Sequence, residues 1–403
     1  MARRTPDLTV IGGGLAGLTA AITAAEAGAR VTLHEAHHTL GGRARTAGAE
    51  PGEQTQARYR THNGPHALYA GGPHWTWLKR RDLLGPVTGV PLHEAARLRF
   101  HRGGVLRRTP PAALLRLLRH RPEHAPVDED FTTWAGRVAG VDGARAAAHY
   151  TAVALFHHDP GSLSARFVQE RLRRTTALPP EAHYPLGGWS AVVDRMAARA
   201  WNLGVRVETL SRLDTVPTDT PVVVATSLEA ARRLLRDPTL TWDSGRTALV
   251  DLALRRRRGD AFAVSGIDFP AWIERFTAQD PSLAPSGESL LQGQVPLAPH
   301  ESAADGSARA ELLLDLAYPG WRSRTVWRRD AVAQGRTGAL DRPGTTWRDR
   351  PAIDRGDGVY LAGDMVAAPG VLSEVSFTSA IEATTLALRR AVPAAPGLDL
   401  KFG

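Results

Sequence analysis

The stretch Leu8-Thr9-Val10-Ile11-Gly12-Gly13-Gly14-Leu15-Ala16-Gly17 decides the fold class of this chain. Its first four residues predict a short buried strand, and its glycines follow the spacing G-x-G-x-x-G. The first glycine of that pattern permits a tight turn, the second lets the backbone approach a phosphate, and the third lets a helix pack on the strand. An alanine-rich helix (18–27) and a second strand (31–35) follow and complete a βαβ unit. The stretch therefore predicts a dinucleotide bound at the amino end of the helix.

Glu35 ends the second predicted strand, at the distance from the glycines where such domains place an acidic residue. Its carboxylate is positioned to accept hydrogen bonds from the ribose hydroxyls of adenosine. A glycine turn with only a structural role is the alternative, but it does not account for the acidic residue. We therefore predict a set of cofactor-binding residues in this unit: Gly12, Gly14, Leu15, Ala16, Gly17, Glu35 and Ala36.

A second glycine turn, Leu40-Gly41-Gly42-Arg43, follows the βαβ unit. The paired glycines give an accessible backbone, and the arginine adds a cation beside the predicted diphosphate. A surface turn with a solvated arginine is the alternative, and the closeness of the turn to Glu35 argues against it. Gly42 and Arg43 are therefore predicted to bind the cofactor as well.

Near the other end of the chain, Leu361-Ala362-Gly363-Asp364 puts a carboxylate just after a predicted strand. An aspartate in that place can accept a hydrogen bond from a ribityl hydroxyl. The helix predicted over 376–390 follows, so backbone N–H groups at Val375 and Ser376 can stabilise the negative charge of a reduced flavin ring. An ordinary strand-turn-helix, in which Asp364 is only a turn residue, is the alternative.

The composition excludes several kinds of chemistry. The 403 residues contain no cysteine, which excludes disulfides, thiolate metal sites, iron–sulfur clusters and cysteine-linked cofactors. The histidines do not have the spacing of metal ligands, so no metal site is predicted. The net charge is +9, but nearly all of the basic residues are arginines in an Ala-, Gly- and Pro-rich sequence. We attribute this charge to composition, and predict no nucleic-acid partner.

The pattern of elements predicts a dinucleotide-binding domain that is interrupted twice. We assign residues 1–90, 186–235 and 341–403 to that domain, and residues 91–185 and 236–340 to a second domain of mixed sheet plus helices. Pro-rich joints separate predicted helices over 112–120, 131–138 and 144–156, and a further helix is predicted over 190–203. Apolar runs predict strands over 247–254, 290–295 and 311–317.

These motifs, together with Tyr184-Pro185-Leu186-Gly187-Gly188, occur in an order and spacing that resemble a known FAD-dependent superfamily. It includes flavin amine oxidases, protoporphyrinogen oxidase and phytoene desaturase-like carotenoid dehydrogenases. The resemblance covers residues 5–70, 184–228 and 357–390, and it is nearest the desaturase-like branch. It implies an α/β fold with a glutathione-reductase-like FAD-binding Rossmann domain, an inserted substrate domain and non-covalent FAD. It also implies that the backbone near Val207 contacts adenine and that the loop after Thr226 lies close to the dinucleotide.

The departures from the superfamily pattern bear on the substrate. Many amine oxidases carry a lysine near the flavin, but Lys79 and Lys401 are the only lysines here and both are badly placed for that role. Of the aromatic pair that those oxidases place before the last motif, only Trp347 is found. The resemblance therefore implies hydride transfer to flavin N5 from an apolar substrate, such as an isoprenoid or a secondary metabolite. An isomerase without net redox change, an amine oxidase and a flavin-binding protein without chemistry stay open.

Two residues are candidates for moving a proton. His66, in His62-Asn63-Gly64-Pro65-His66, is the first candidate, because the corresponding segment of the superfamily runs toward the flavin and histidine titrates near neutral pH. Tyr184 is the second. The electron acceptor and the oligomeric state stay open.

Two apolar segments bear on where in the cell the protein is located. The stretch 8–28 resembles a signal peptide in its hydrophobicity, but it lacks a cleavage pattern, so we expect a cytoplasmic protein. The segment 112–120 is amphipathic and basic. It could contact a membrane surface, although packing of its leucines on its own domain is the favoured interpretation.

Overall fold

A computed structural model describes residues 6–47, 58–64 and 67–391. Within these residues the chain forms two compact units. The first unit contains residues 6–44, 193–242 and 348–391, and the second contains the described residues of 45–192 and 243–347.

The strands, in chain order, are β1 (Asp7–Ile11), β2 (Arg30–His34), β3 (Thr46–Ala47), β4 (Thr61–His62), β5 (Leu68–Tyr69), β6 (Val87–Thr88), β7 (Leu98–Arg102), β8 (Val105–Arg107), β9 (Ala182–Pro185), β10 (Arg206–Glu208), β11 (Val222–Val224), β12 (Ser244–Arg255), β13 (Ala263–Gly266), β14 (Ala271–Arg275), β15 (Glu288–Pro296), β16 (Thr325–Ala339) and β17 (Val359–Leu361). The α-helices are α1 (Leu15–Glu26), α2 (Pro73–Arg80), α3 (Leu92–Ala95), α4 (Ala112–Leu117), α5 (Phe131–Ala139), α6 (Val141–Leu155), α7 (Ala165–Thr175), α8 (Gly188–Asn202), α9 (Leu228–Leu234), α10 (Ala303–Ala317), α11 (Trp321–Arg324) and α12 (Ser373–Ala391).

The first unit is built on a parallel sheet with the strand order β10-β2-β1-β11-β17. The strands are apolar because both faces of such a sheet are covered, and Val10, Leu33 and Val223 are completely buried. Helix α1 connects β1 to β2 and packs against α12. The βαβ unit and the α/β class predicted from the sequence are confirmed. Helix α1 begins at Leu15, inside the glycine motif, rather than at Leu18.

The second unit combines a mixed sheet with helices, as predicted. Its main sheet has the order β16-β12-β15-β14-β13-β7-β8 and is antiparallel except where β13 pairs with β7. Helix α10 packs on one face of this sheet, and helices α4 to α7 form a core of their own. A three-stranded sheet, β5-β9-β6, joins residues 68–69 and 87–88 to β9.

The division between the units differs from the predicted domain boundaries at residues 45–90. The sequence assigned this segment to the dinucleotide-binding domain, whereas its described part belongs to the second unit. The cause is backbone pairing: Leu68 pairs with His183, and the amide of Arg60 donates a hydrogen bond to the carbonyl of Leu283. Such pairing joins residues that are distant in the sequence, so the boundary was not visible in the local pattern.

The strand predicted over 311–317 is wrong, because these residues form the second half of α10. Ser302 caps this helix: its hydroxyl accepts a hydrogen bond from the Asp305 amide, and the Asp305 carboxylate accepts one from the Ser302 amide. This capping box specifies a helix start. The apolar run that suggested a strand is the face of the helix on the sheet, with Leu313 and Leu314 buried.

The amphipathic segment 112–120 forms α4 and a short turn. Leu114 and Leu117 are buried in the core of helices α4 to α7, while Leu115 is exposed. The favoured interpretation, a helix that packs on its own domain, agrees with this arrangement. In the described part of the chain, no helix has the length and apolar character needed to cross a bilayer.

Candidate functional site

The glycine motif of the first unit makes a turn that only glycine can form. Gly12 has a φ of +106°, and a Cβ at this position would lie 2.6 Å from the carbonyl oxygen of Ala225. A Cβ at Gly17 would lie 1.7 Å from the carbonyl oxygen of Gly12. The first glycine therefore makes the turn between β1 and α1, and the third brings the helix against it, as the sequence predicted.

Gly14 lies where the first glycine turn meets the second. It forms a parallel bridge with Gly41, and the amide of Gly41 donates a hydrogen bond to the carbonyl of Gly13 over 2.7 Å. A Cβ at Gly42 would come within 3.3 Å of the Gly14 Cα, whereas a Cβ at Gly14 would meet nothing nearer than 3.9 Å. At Gly14 and Gly42 the two turns make a cradle in which a Cβ would meet only backbone atoms of the described residues. A diphosphate can reach the main chain in such a cradle.

The amino end of α1 opens into this cradle. The first bond inside the helix runs from the amide of Leu18 to the carbonyl of Gly14, so the amides of Leu15, Ala16 and Gly17 precede the helical hydrogen-bond ladder. Within the described residues no side chain caps this end, and its first turn contains no acidic residue. The partial positive charge of the helix end is therefore available to an anion.

Glu35 is buried beside the glycine turn, with 6% of its surface exposed. Its Oε2 atom accepts a hydrogen bond from the Gly13 amide at 2.7 Å, and Oε1 accepts one from the His37 amide at 2.9 Å and contacts His37 Nδ1 at 2.6 Å. A carboxylate offers about four acceptor positions, so one position on Oε2 remains for a ribose hydroxyl. Glu35 thus also ties the end of β2 to the glycine turn, a role that the sequence did not predict.

Strand β10 brings Val207 to the predicted adenine side of Glu35. Val207 pairs with Leu33 of β2, and the amide of Glu35 donates to the carbonyl of Glu208 over 2.8 Å. Val207 and Ala36 are both partly exposed. Their expected contacts with adenine and ribose stay predictions.

Thr226 follows β11 and lies against the glycine turn. Its amide would be 3.2 Å from a Cβ on Gly12, and its carbonyl would be 3.7 Å from a Cβ on Gly363. Strands β1, β11 and β17 are neighbours in the parallel sheet, so their carboxyl ends meet at one edge. Ligands bind at this edge in open α/β sheets.

Arg43 and Asp364 come from opposite ends of the chain and form a two-pronged ion pair. Arg43 Nη2 donates to Asp364 Oδ1 at 2.6 Å, and Nη1 donates to Oδ2. Burial lowers the pKa of Arg43 and Asp364 raises it, with a net increase, so the guanidinium is charged. The sequence predicted both residues near the cofactor but not their contact, because no local pattern relates segments so far apart.

Gly363 sets the position of Asp364. Its φ is 152°, and its amide donates to the hydroxyl of Ser379 on α12 over 2.9 Å. Helix α12 begins at Ser373, three residues before the predicted start. The amide of Val375 donates to the carbonyl of Leu372 over 3.3 Å, and both Val375 and Ser376 are buried. The expected contact between these two residues and a flavin stays a prediction.

Tyr184, the second proton-transfer candidate, lies in the second unit and is engaged by Glu274. Its hydroxyl donates to Glu274 Oε1 at 2.7 Å. Glu274 also accepts hydrogen bonds from Trp272 Nε1 at 2.8 Å and from Gln279 Nε2 at 2.6 Å. Burial, followed by the charge of Glu274, raises the pKa of Tyr184 well above its ordinary value. Tyr184 therefore stays protonated near neutral pH.

Sequence reasoning missed Glu274. Burial raises the pKa of its carboxyl group, and no cation of the described residues contacts it. Trp272 and Glu274 are two positions apart in β14 and therefore lie on the same face of the strand. An acidic residue directly after the apolar residues Ala271-Trp272-Ile273 was the signal that could have identified it.

The histidine candidates differ in what the structure says of them. His66 lies outside the described residues. The nearby His62 is buried, its Nε2 accepts a hydrogen bond from the Trp189 amide at 3.3 Å, and burial lowers its pKa to about 4. His62 is therefore neutral at pH 7. No group of three or more potential metal ligands occurs in the described part of the chain.

Comparisons with known proteins agree with this geometry. Residues 10–80 match the profile of the family described as NAD(P)-binding Rossmann-like domain. An oxidoreductase from Methanosarcina mazei has a TM-score of 0.74 at 16% identity, with 94% of this chain and 100% of that chain covered. Cyclohexylamine oxidase from Brevibacterium oxydans IH-35A has a TM-score of 0.69 at 16% identity, with 96% of this chain and 99% of that chain covered. A redesigned double mutant of putrescine oxidase has a TM-score of 0.70 at 14% identity, with 96% of this chain and 100% of that chain covered.

A search of curated proteins with this sequence found no match. At identities this low, the similar structures establish the fold. The chain shares the fold of these three proteins, and the predicted resemblance is confirmed as a likeness of fold. The comparisons do not bear on the desaturase-like branch, which stays a prediction.

Proposed function

We propose that this protein is an FAD-dependent oxidoreductase that takes a hydride from an apolar organic substrate. The observation that supports it most directly is Glu35, buried against the Gly13 amide beside a cradle in which a Cβ on Gly14 or Gly42 would meet only backbone atoms of the described residues. This arrangement suits the adenosine diphosphate half of a dinucleotide. The paired Arg43 and Asp364 add polar groups at the same sheet edge, where a flavin dinucleotide carries its ribityl chain.

The residues of the first unit fit FAD group by group. The amides of Gly14, Leu15 and Ala16 would bind the diphosphate together with the Arg43 guanidinium. Glu35 would bind the adenosine ribose, and Val207 the adenine. Asp364 would bind the ribityl hydroxyls, oriented by its two bonds to Arg43. With no cysteine in the chain, the cofactor is non-covalent in this proposal unless a histidine links it.

Bound FAD would supply the hydride acceptor, so the chain has to position the substrate and exclude water. Tyr184 stays protonated at pH 7 because its pKa is raised, and His62 stays neutral because its pKa is lowered to about 4. Neither side chain therefore changes its charge near neutral pH. This favours a substrate that needs little acid–base chemistry. If a proton does move, His66 is the first candidate, and His66→Ala should then lower turnover about 10²- to 10⁴-fold while FAD stays bound.

Glu274 supports amine oxidation as a second candidate. A buried carboxylate is costly unless a cation pairs with it, and the donors that contact Glu274 are the neutral Tyr184, Trp272 and Gln279. An ammonium group of a substrate would supply the missing positive charge. The aromatic rings of Tyr184 and Trp272 also favour a cation.

Anaerobic reduction of the FAD-loaded protein tests both candidates. The protein is mixed with an isoprenoid series and an amine series, and loss of the oxidised flavin spectrum is followed. Reduction by apolar compounds that is unchanged in Glu274→Gln supports the first candidate. Reduction by amines that Glu274→Gln abolishes supports the second. Product formation without net reduction of the flavin would contradict both candidates and indicate an isomerase. A flavin that no compound of either series reduces or converts would contradict the proposal that the protein is an enzyme.

A further inference from the structure

Strand β16 (Thr325–Ala339) is an edge of the main sheet in the second unit. Among the described residues it pairs with β12 alone. No strand of the described residues pairs with its outer side, where backbone N–H and C=O groups point away from β12. A long edge strand of this kind can pair with a strand of another chain.

The hydrogen-bond register identifies which residues face outward. The amide of Arg256 donates to the Gly287 carbonyl, and the amide of Leu297 donates to the Arg246 carbonyl, so even-numbered residues of β12 bond to β15. Odd-numbered residues of β12 therefore bond to β16, and Asp251 lies opposite Arg329. It follows that the even-numbered residues of β16 direct their backbone groups outward: Arg328, Asp330 and Val332.

The side chains of these three residues lie on one face of β16 and are exposed, and Val326 is exposed at the irregular end of the pairing with β12. Val326 and Val332 are 38% and 40% exposed, and Arg328 and Asp330 are 32% and 42% exposed at their side chains. The pattern Val-x-Arg-x-Asp-x-Val matches a second copy of itself that runs in the opposite direction. In that arrangement each arginine lies opposite an aspartate and each valine lies opposite a valine. A second copy of the same strand would satisfy that pattern.

We propose that β16 associates with β16 of a second copy of this chain in an antiparallel pair centred on Arg329. In this register Arg328 lies opposite Asp330 of the second copy, and Val326 lies opposite Val332. Shifting the pair by one allowed step places Arg328 opposite Arg328, or Asp330 opposite Asp330. Like charges directly opposite each other destabilise a sheet, so the charges on this face of the strand select one register. On the other face Arg329 lies opposite Arg329 of the second copy, and the carboxylate of Asp251 in the same chain neutralises each of the two.

The interface would be short. Within one chain Arg328 already bonds to Asp330 and Glu311, so the charge pairs across the interface share existing partners and mainly select the register. The affinity would come from backbone hydrogen bonds. An irregularity in the β12 pairing at Val326 limits the regular stretch. We therefore expect a weak dimer whose population rises with protein concentration.

Charge reversal tests the register. In Arg328→Asp two acidic residues face each other, and in Asp330→Arg two basic residues do, so each variant should raise the dimer Kd roughly tenfold or more. The double variant Arg328→Asp/Asp330→Arg exchanges the charges and should restore dimerisation. Arg258→Asp, on an exposed loop, has the same charge change as a control and should leave the dimer intact. Sedimentation velocity of the full chain over a concentration series measures all five proteins.

The absence of cysteine allows a second test by cross-linking. A mixture of Val326→Cys and Val332→Cys chains should be joined by a short bis-maleimide, because the two positions face each other in the proposed pair. Either variant alone should not be, because its own two copies are six residues apart along the strand, about 20 Å. A chain that stays monomeric at all concentrations overturns the proposal. So does a dimer that ignores both charge reversals, or one that the double variant does not restore.

Discussion

At the scale of single residues, the candidate sites consist of a few polar side chains whose partners are fixed by the fold. Glu35, Arg43 and Asp364 each stand in a motif, so the sequence could identify them as candidates. Their contacts could not be predicted in the same way. The Arg43–Asp364 pair and the Tyr184–Glu274 pair join segments that only tertiary structure brings together.

Replacing Glu35 tests the ribose assignment. Glu35→Gln removes the charge that strengthens its hydrogen bonds, each worth roughly 1.5–3 kcal/mol, so FAD should bind about 10- to 100-fold more weakly. Glu208→Gln is the matched control, since Glu208 is on the neighbouring strand and pairs with the exposed Arg206. Fluorescence titration of the apoproteins measures both affinities. Equal weakening in the two variants would mean that the sheet edge, and not the ribose contact, had been disturbed.

Glu274 should make stability depend on pH. Its pKa is raised by burial, so the folded protein binds its proton more readily than the unfolded chain, where glutamate titrates near 4.3. Its contribution to stability is therefore fully present below that value and is lost as pH rises through the raised pKa. Glu274→Gln removes this loss, so the free energy of unfolding of the variant relative to wild type should increase from pH 4 to pH 8. Urea unfolding at both pH values measures it. An unchanged difference would mean that folding does not shift the pKa of Glu274, and a decrease would mean that the fold stabilises its ionised form.

At the scale of elements, prediction succeeded where the signal was local. The glycine motif specifies β1, α1 and β2 because a turn, a helix start and a strand lie within one short stretch. Prediction failed at 311–317, whose apolar run predicts a strand although the residues belong to α10. Ser302 and Asp305 mark the start of this helix upstream of the apolar run. Apolar runs of this length do not distinguish a buried strand from the core face of a helix, and the cap decides.

The capping box of α10 can be tested directly. Ser302→Ala removes the side-chain bond to the Asp305 amide and should lower the free energy of unfolding by about 1 kcal/mol. Ser302→Asp keeps an acceptor at the cap and should restore most of that loss. Chemical denaturation of the three proteins provides the comparison. Identical stability of the alanine variant and wild type would mean that packing of α10 on the sheet alone holds the helix.

At the scale of the whole molecule, the candidate cofactor residues lie in one unit that three segments of the chain build together. The glycine motifs and the Gly363-Asp364 motif lie near opposite ends of the sequence, and this separation is why the sequence predicts an interrupted domain. The position of residues 45–90 depended on strand pairing and could not be predicted. The sequence predicts that the second unit binds the substrate, but this unit has weaker motifs, so the substrate stays a prediction.

Titration of the apoprotein with FAD, FMN and NAD⁺ tests the central claim most directly. FMN lacks the adenosine monophosphate half of FAD, and with it the ribose that Glu35 would bind and one of the two phosphates that the glycine cradle would bind. NAD⁺ lacks the ribityl chain that Asp364 would bind. We expect FAD to bind one molecule per chain, with FMN and NAD⁺ both markedly weaker. Binding of NAD⁺ or FMN as tight as that of FAD, or no binding of FAD, would contradict the assignment of this protein as an FAD-dependent oxidoreductase.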